Sequence, residues 1–331
     1  MRKVILDVFA ADTPELLIKG AADAVNRIPD VTLVLPGKPE VLENELKKYD
    51  FDRTRIEIEP AESVIGCDER PAEAILSKRD SSLIKGIMRT AKDDDVVGMI
   101  TGGSTGAVLA GCATFLGRMP GILYPALATF LPSQKGRYIC MVDCGAMVDC
   151  SAEQLTQFAA LGSTLMTAYY AIDAPTVGLL NVGTEKAKGN ALTHAAYDKI
   201  AALPVNFTGN IEARDVLKGD TDVVVCDGFA GNMVLKSIEG SAMFTVGLML
   251  NAMKKHLDAD KSKIRDIMGE TLSVMDLSNL KGAMLLGVNK PVVKIHGNAS
   301  DKAIPNAVEQ ALTLDSGELT KKTRQLLNKI I

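Results

Sequence analysis

Four short segments rich in glycine and polar residues could do chemistry, and each follows a run of β-branched residues. They are residues 101–107, 143–150, 183–190 and 227–232. A glycine turn lets backbone N–H groups approach an anion, and the positive end of a following helix adds attraction. Any α/β protein needs glycines where strands turn into helices. Four polar corners in one chain, two of them with an aspartate directly after the strand, nevertheless indicate a phosphate or carboxylate pocket.

Three side chains in or near these corners are candidates for contact with substrate. Lys188 lies among small residues, where its ammonium could hold a phosphate or could simply be exposed at a helix start. Asn232 follows a glycine, where its amide could donate to a carbonyl oxygen or cap a helix. His296 follows the last strand, and a lone histidine is more often structural than catalytic. No P-loop or GxGxxG motif is present, so the residues themselves predict no more than an anion pocket.

The elements that must position these corners alternate along the whole chain. Strands are expected at 4–6, 31–35, 56–58, 96–100, 138–142, 177–181, 205–208, 223–226 and 292–295. Helices are expected near 14–28, 39–49, 71–91, 105–116, 152–171, 190–201, 230–255, 301–313 and 318–330. Such βα repeats predict an α/β fold with a mostly parallel sheet and helices on both faces.

Composition and charge exclude several classes of function. The chain has 331 residues, a net charge of −4, 4% aromatic residues and no tryptophan, so a nucleic-acid partner is not expected. Three histidines and six cysteines without CxxC spacing predict no metal site and mostly buried, reduced thiols. No signal peptide is evident, and the apolar run 242–250 is about half of the ~20 residues that a membrane span needs. A cytosolic or peripheral location is therefore expected.

One helical segment differs from the others, because residues 229–253 are nearly all apolar and Lys254-Lys255-His256 follows them. A second helical segment is expected near 262–270. A core helix or an oligomer interface would explain this composition. The alternative is an exposed apolar hairpin that touches a membrane surface.

A set of motifs then runs in order over nearly the whole chain. They are Val64-Ile-Gly-Cys-Asp-Glu-Arg-Pro-Ala72, residues 101–107, Pro125-Ala-Leu-Ala-Thr129, Asp143-Cys-Gly-Ala-Met-Val-Asp-Cys150, Lys188-Gly-Asn190, Gly209-Asn-Ile-Glu-Ala-Arg214, Asp227-Gly-Phe-Ala-Gly-Asn232, Leu285-Leu-Gly-Val-Asn289 and His296-Gly297. In these motifs the chain resembles the PlsX-type phosphate acyltransferases of bacterial phospholipid synthesis.

The resemblance implies transfer of the acyl group of a long-chain acyl–acyl carrier protein to inorganic phosphate. The products are free carrier protein and acyl phosphate, which a glycerol-3-phosphate acyltransferase then uses. The implied fold is a three-layer α/β/α assembly like that of isocitrate dehydrogenases and phosphotransacetylases. Residues 1–331 would form one family domain, and two lobes, if present, would interleave as 1–150 with 285–331 and 151–284.

The resemblance also implies a cytoplasmic homodimer that associates peripherally with the membrane. An apolar two-helix hairpin at about 238–270 would make that contact. Basic residues that flank the hairpin could face anionic lipid, although an ordinary solvated helix face explains them as well. They are Lys254, Lys255, Lys261, Lys263 and Arg265.

Site residues follow from the matching motifs. Lys188 would bind and orient phosphate, and Asn232 would polarise the thioester carbonyl or stabilise the oxyanion. Further residues expected to bind substrate or phosphate are Asp7, Gly103, Ser104, Thr105, Gly106, Asp143, Gly145, Asp149, Gly189, Asn190, Asp227, Gly228, Gly231 and His296. Because phosphate is itself a nucleophile, no cofactor and no metal are expected.

Three departures from the family pattern bear on the substrate. The family's Asp-Ala-Met-Gly-Gly-Asp is Asp7-Val-Phe-Ala-Ala-Asp12 here, its Gly-Asn-Thr-Gly is Gly103-Ser-Thr-Gly106, and its Gly-Ala-Asn is Gly145-Ala-Met147. Two alternatives therefore stay open: a phosphotransacetylase-like enzyme that uses short-chain thioesters such as acetyl-CoA, and a non-catalytic protein that binds acyl carrier protein or membrane. A dehydrogenase would share the fold class, but no dinucleotide motif supports it.

Overall fold

The centre of the computed structural model, which describes residues 2–256, 269, 282–314 and 318–327, is one sheet of eleven strands. In chain order, β1 to β11 are Arg2–Asp7, Val31–Gly37, Ile56–Pro60, Val96–Thr101, Ala126–Pro132, Tyr138–Val142, Thr176–Asn181, Asn206–Glu212, Val223–Val225, Ala283–Leu286 and Val292–Lys294. In the described ranges, helices α1 to α10 are Pro14–Arg27, Pro39–Leu46, Pro71–Ser77, Ser82–Lys92, Thr105–Gly111, Ala152–Tyr170, Ala191–Ala201, Gly228–His256, Ala303–Leu314 and Glu318–Leu327.

Strand directions divide the sheet into two blocks. The strand order is β3-β2-β1-β4-β11-β10-β5-β6-β9-β7-β8. The first five of these strands are parallel to one another, and so are the last four. Between the blocks, the pairs β11–β10, β10–β5 and β5–β6 are antiparallel. The two blocks therefore run in opposite directions, and their carboxyl ends lie at opposite edges of the sheet.

Helices cover both faces of this sheet. Val4 and Leu6 belong to a first cluster of buried residues, which includes side chains of α1, α6, α7 and α9. Ile5 belongs to a second cluster, with side chains of α3, α4 and α5. Because successive side chains of a strand point to opposite faces, the two clusters lie on opposite sides of the sheet. This arrangement confirms the expected three-layer α/β/α fold with a mostly parallel sheet.

A third cluster lies beside the second, on the same face. It joins strands β5, β6, β7 and β9 to α8, and it includes Leu131 of β5. Leu285 of the second cluster pairs with Leu127 of β5, and Leu131 shares the face of Leu127 because strand side chains repeat every two residues. The boundary between the second and third clusters therefore runs over the centre of the sheet.

Local sequence explains where several helices begin. Proline occupies the first position of α1, α2 and α3, where its missing N–H costs nothing. Ser151 and Gln154 form a reciprocal capping box at the start of α6. Ser81 caps α4, so the single helix expected over 71–91 is instead two helices with a turn between them.

Two strands, β5 and β10, are absent from the sequence-based prediction, whereas the other nine match it to within a few residues. Both lie in the antiparallel centre of the sheet. β5 begins after Pro125, contains two alanines and ends at Pro132, so it lacks the β-branched pattern of the other strands. Strands β10 and β11 return the C-terminal part of the chain to the middle of the sheet. The interleaved lobes and their boundaries stay a prediction.

Helix α8 is the long apolar helix expected from the sequence, and it starts two residues earlier than predicted. Its stretch Gly228–Met253 is long and apolar enough to cross a membrane, by length and composition, and 6% of its most apolar window is buried. This differs from the expectation that no segment reaches that length. Its first turns nevertheless pack on the third cluster through Leu235 and Ile238. Of the second hairpin helix, expected near 262–270, the structure describes residue 269 alone, and Lys261, Lys263 and Arg265 lie outside the described residues.

Candidate active site

The turns that follow β6 and β9 interlock, because these strands are parallel neighbours. The Gly228 N–H donates to the Met147 carbonyl at 2.8 Å, and the Asp143 N–H donates to the Cys226 carbonyl at 3.0 Å. A Cβ on Gly231 would come within 1.8 Å of the Asp143 carbonyl oxygen, and one on Gly228 within 2.6 Å of the Met147 oxygen. Glycine at 228 and 231 therefore lets the start of α8 approach the β6 turn.

Asp143 holds the β6 turn with its own carboxylate. Its Oδ1 accepts the N–H groups of Leu127 at 3.0 Å, Gly145 at 3.1 Å and Ala146 at 3.0 Å. Its Oδ2 accepts the Met147 N–H at 2.7 Å. Burial raises the pKa of this carboxyl, while the N–H donors oppose the rise. Because the protein's own carboxylate occupies these N–H groups, Asp143 positions the turn, and the turn is not an empty anion cradle.

Asn232 lies exposed near the start of α8 and faces the β6 turn. Gly145 has a φ of +123°, and a Cβ placed on it would lie 3.5 Å from the Asn232 Cβ and 3.7 Å from its Oδ1. Asp227 caps the helix instead, since its Oδ1 accepts the Ala230 N–H at 2.7 Å. Within the described ranges the Asn232 amide has no hydrogen-bond partner, so it is available to a ligand.

Lys188 lies exposed in the loop between β7 and α7. The Asn181 side chain donates to its carbonyl at 3.0 Å, and its N–H donates to the Glu185 carbonyl at 3.0 Å. The neighbouring Lys186 pairs with Asp198 at 2.6 Å, whereas the Lys188 ammonium has no ion-pair partner among the residues described. The loop therefore presents Lys188 as an uncompensated cation on a backbone that hydrogen bonds hold in place.

Asn190, which follows this lysine, is engaged in the start of α7. Its Oδ1 accepts the Thr193 N–H at 2.9 Å, and its own N–H donates to the Thr193 hydroxyl at 3.0 Å. Gly189 has a φ of +113°, and a Cβ on it would come 2.1 Å from the Thr193 hydroxyl. Both residues thus fix the path of the loop, and Asn190 contributes a helix cap where a substrate contact was expected.

A second group of expected site residues lies where β1 and β4 end. The Thr101 hydroxyl donates to Asp7 Oδ2 at 2.9 Å and accepts the Gly103 N–H at 3.0 Å. Asp7 is fully buried, and burial raises its pKa to about 6. Among the residues that the structure describes, its Oδ1 has no hydrogen-bond partner. Asp7 therefore lies behind the β4 turn with no exposed surface, and its contact with substrate stays a prediction.

The two alanines that depart from the family pattern pack against this same turn. A Cβ on Gly102 would lie 2.9 Å from the Ala11 Cβ, and one on Gly103 would lie 3.4 Å from the Ala10 Cβ. Neither alanine has a positive φ, so the backbone there does not require glycine. Ser104 caps α5. The added methyl groups therefore fill space beside the turn without straining the backbone.

The remaining expected site residues lie at the surface or at a helix contact. Gly106 follows Thr105 at the start of α5, and a Cβ on it would come 2.7 Å from the Pro71 ring. Asp149 is exposed after the β6 turn. His296 is exposed after β11, and its Nδ1 accepts the Asn298 N–H at 3.5 Å.

The four polar corners do not share one edge of the sheet. Residues 143–150, 183–190 and 227–232 follow β6, β7 and β9, so they lie at the carboxyl edge of one block. Residues 101–107 follow β4, in the block that runs the opposite way. The sequence could not give this separation, because it depends on the antiparallel centre of the sheet.

Sequence reasoning did not single out two lysines that could bind an anion, Lys236 on α8 and Lys294 on β11. A signal for Lys294 was present, because a charged residue interrupts the apolar strand Val292-Val-Lys-Ile295. Among the residues described, no group of histidine, cysteine, aspartate or glutamate side chains could hold a metal ion. All six cysteines are free, and they are mostly buried, as expected, although Cys67 is exposed.

Comparison with known proteins identifies similar chains. A family model described as fatty acid synthesis protein matches residues 2–322. A phosphate acyltransferase of Halothermothrix orenii is 38% identical over 332 residues, covering 99% of both chains. A phosphate acyltransferase of Clostridioides difficile is 36% identical over 333 residues, covering 99% of this chain and 96% of its own.

Solved structures share the fold at lower identity. A phosphotransacetylase from Streptococcus pyogenes superposes with a TM-score of 0.64 and 18% identity, over 96% of this chain and 94% of its own. A branched-chain phosphotransacylase from Enterococcus faecalis superposes with a TM-score of 0.59 and 11% identity, over 96% of this chain and 99% of its own. At these identities the likeness establishes the fold alone.

We expect the buried Asp7 to make stability depend on pH. A folded-state pKa of about 6, against an ordinary value of 3.8, means that the folded protein binds this proton more tightly than the unfolded chain. Protonated Asp7 therefore stabilises the folded state at low pH, and this stabilisation is lost as pH rises from about 4 to about 6. The loss in the free energy of unfolding is about 3 kcal/mol, at about 1.4 kcal/mol per pKa unit. Urea unfolding of wild type and Asp7→Asn between pH 4 and 7.5 measures it.

The expected result is a free-energy difference between the two proteins that shifts in favour of Asp7→Asn as pH rises. Asp12→Asn, which removes an exposed carboxyl five residues further along, is the control. Equal pH profiles for the two variants would contradict the assignment.

Proposed function

The chain belongs to the fatty acid synthesis protein family, whose relatives named above are phosphate acyltransferases, and we propose that it transfers a long-chain acyl group from acyl carrier protein to inorganic phosphate. The observation that carries this proposal is identity of 36–38% to phosphate acyltransferases over nearly the full length of both chains. The identity of the donor, a long-chain acyl group on acyl carrier protein, rests on the family resemblance of the motifs.

The reaction needs positioning and charge stabilisation more than an activated side chain. A phosphate oxygen attacks the thioester carbonyl carbon, and negative charge develops on the carbonyl oxygen. When the tetrahedral intermediate collapses, the C–S bond breaks, and the carrier thiolate leaves and takes up a proton. The new C–O bond gives acyl phosphate. Because phosphate supplies the nucleophile, holding it against the carbonyl replaces covalent catalysis.

Lys188 and Asn232 suit the two tasks that this reaction sets. β7 and β9 are neighbouring parallel strands, so the Lys188 loop and the start of α8 follow their carboxyl ends at the same edge of the sheet. The uncompensated ammonium of Lys188 would orient phosphate. The unpartnered amide of Asn232 would donate to the carbonyl oxygen as it becomes negative. Asp143, Gly145, Asp227, Gly228 and Gly231 would hold the β6 turn and α8 in register.

A peripheral contact with the membrane suits α8 better than a span. Its first turns pack against the β6 turn and the third cluster, so they belong to the folded domain. Further along, Phe244 and Leu248 are 66% and 54% exposed and lie four residues apart on one side of the helix. In the sequence, Lys254 and Lys255 follow this apolar stretch, and apolar residues followed by basic ones fit an anionic lipid surface. A homodimer remains a prediction, which light scattering would test.

Release of free thiol from palmitoyl–acyl carrier protein, measured with and without phosphate, tests the substrate. We expect phosphate-dependent release from this donor and little from acetyl-CoA run alongside. Turnover of acetyl-CoA alone would identify a short-chain enzyme and contradict the long-chain proposal. No turnover of either donor by folded protein would leave the non-catalytic binding protein as the better description.

Lys188→Ala and Asn232→Ala should each lower kcat by about 10²–10³. The first removes the cation that orients phosphate, and the second removes a donor to the developing oxyanion. Asn232→Asp keeps the size of the side chain but loses the amide donor, so it should be as slow as the alanine variant. Lys186→Ala, two residues from Lys188, is the matched control. It should retain activity to within about fivefold, because an exposed ion pair contributes about 1 kcal/mol or less. Near-full activity of folded Lys188→Ala or Asn232→Ala would remove that residue from the mechanism.

Phe244→Asp and Leu248→Asp should weaken binding to vesicles of phosphatidylglycerol and phosphatidylethanolamine about tenfold or more. Burying one large apolar side chain contributes about 1.5–3 kcal/mol, which an aspartate would forfeit. Leu76→Asp changes a leucine of α3 that is 57% exposed and serves as the control in the same sedimentation assay. If the α8 variants bind vesicles like wild type but dissociate a dimer, the exposed side of α8 is an oligomer interface instead.

A further inference from the structure

Lys294 is a partly buried lysine in the middle of the sheet. Val292 belongs to the second cluster and Val293 to the first, so Lys294 lies on the face that the second and third clusters cover. Its register partners are Thr101 on β4 and Ala283 on β10. Lys294 therefore lies at the boundary between the two clusters, with helices α3 to α5 on one side and α8 on the other.

No carboxylate balances the charge of Lys294 within the described part of the chain. Its Nζ donates to the neighbouring Ile295 carbonyl at 3.2 Å, and it forms no ion pair with any residue described. Burial lowers its pKa, the nearby Lys236 ammonium lowers it further, and the Cys67 thiol acts in the opposite sense. The Lys294 ammonium thus lies in a region with little water, which costs free energy unless an anion joins it, whereas the Lys236 side chain is half-exposed and pairs with Glu239.

Two carboxylates on the neighbouring elements are engaged elsewhere. Glu239 pairs with Lys236 at 2.7 Å along α8. Asp7 lies two strands from Lys294, in the same row of the sheet, and the Thr101 hydroxyl between them donates to it. Neither carboxylate forms an ion pair with Lys294, so the charge of this lysine is left for a ligand.

Lys236 connects this lysine to the candidate active site. It follows Asn232 by four residues on α8, so both side chains lie on the same side of the helix, about 6 Å apart along its axis. Asn232 faces the β6 turn, and the Lys236 ammonium is close enough to Lys294 to lower the pKa of that lysine. An anion held by the two lysines would thus lie about one helical turn from the amide that is proposed to polarise the thioester.

We propose that Lys294 and Lys236 bind a phosphate group at the boundary between the second and third clusters. This inference rests on the proposed function and deepens it, because two substrates of that reaction carry such a group. One is inorganic phosphate, and the other is the carrier protein, whose phosphopantetheine arm contains a phosphodiester. An extended arm is longer than one helical turn, so the position of Lys236 relative to Asn232 favours inorganic phosphate, the same anion that Lys188 is proposed to orient.

Direct binding to the full-length protein tests the site without any turnover. Isothermal titration would use inorganic phosphate, 4′-phosphopantetheine and pantetheine as probes, with wild type, Lys294→Met, Lys236→Met and Lys199→Met. Methionine keeps the length and apolar contacts of lysine but removes its charge. Lys199 pairs with Glu153 at 2.9 Å on α7 and α6, so it is the matched control. Loss of a charge-assisted contact should raise the Kd of the bound probe about tenfold in Lys294→Met, and the control should stay within about twofold.

Each outcome decides the proposal or its ligand. A weaker Kd for inorganic phosphate in Lys294→Met assigns the site to the free substrate. A weaker Kd for 4′-phosphopantetheine alone, with pantetheine unchanged, assigns it to the carrier arm. If wild type binds none of the phosphate probes, or if Lys294→Met binds them as wild type does, the proposal is wrong. Absence of acyl transfer with phosphate binding intact would instead count against the proposed function alone.

Thermal unfolding separates a binding role from a structural one. Removing a partly buried, uncompensated charge should leave the Tm of Lys294→Met equal to or above that of wild type in the absence of phosphate. Phosphate should then raise the Tm of wild type more than that of the variant. A lower Tm of Lys294→Met together with unchanged phosphate binding would identify a structural lysine and overturn the proposal.

Discussion

Three antiparallel strand pairs at the centre of the sheet set the position of every candidate site residue. Because β10 and β5 lie between two parallel blocks, the blocks run in opposite directions. The loops after β6, β7 and β9 then meet at one edge, and those after β1 and β4 meet at the other. The face between the second and third clusters is the surface that both groups of loops border, and Lys294 lies on it. A fully parallel sheet would have placed all four corners together.

Side chains, more than backbone N–H groups, are left to bind anions in this fold. The N–H groups of the β6 turn bond to the Asp143 carboxylate, and one N–H group at the start of each of α5, α7 and α8 bonds to Ser104, Asn190 and Asp227, respectively. A phosphate would have to displace these internal acceptors to use those N–H groups. Cations without ion-pair partners among the residues described, such as Lys188 and Lys294, offer charge at no such cost.

The sequence was a good guide to the elements and to the family, and a poor guide to how the corners are used. Nine strands follow from β-branched runs, because those residues favour strands and, in central strands such as β2 and β4, are buried on both faces of the sheet. β5 and β10 escape detection, since alanines and the prolines beside β5 hide strands that neighbouring strands stabilise. The use of Asp143 as an internal acceptor is also hidden. A polar residue after a strand looks the same whether it serves a ligand or its own turn.

Two alanines at the β4 turn and a lysine on β11 determine the shape and charge of the sheet face where an anion would bind. Ala10 and Ala11 fill space beside the β4 turn, so that corner is tighter than a glycine pair would make it. Lys294 adds a positive charge on the same face, in the row that contains Thr101. A partly buried lysine without a carboxylate lowers stability, and the phosphate proposed to bind here would restore the balance. Anion binding on this face would then depend on a side chain of the central sheet, whereas the contacts described at the β4 turn are packing contacts within the protein.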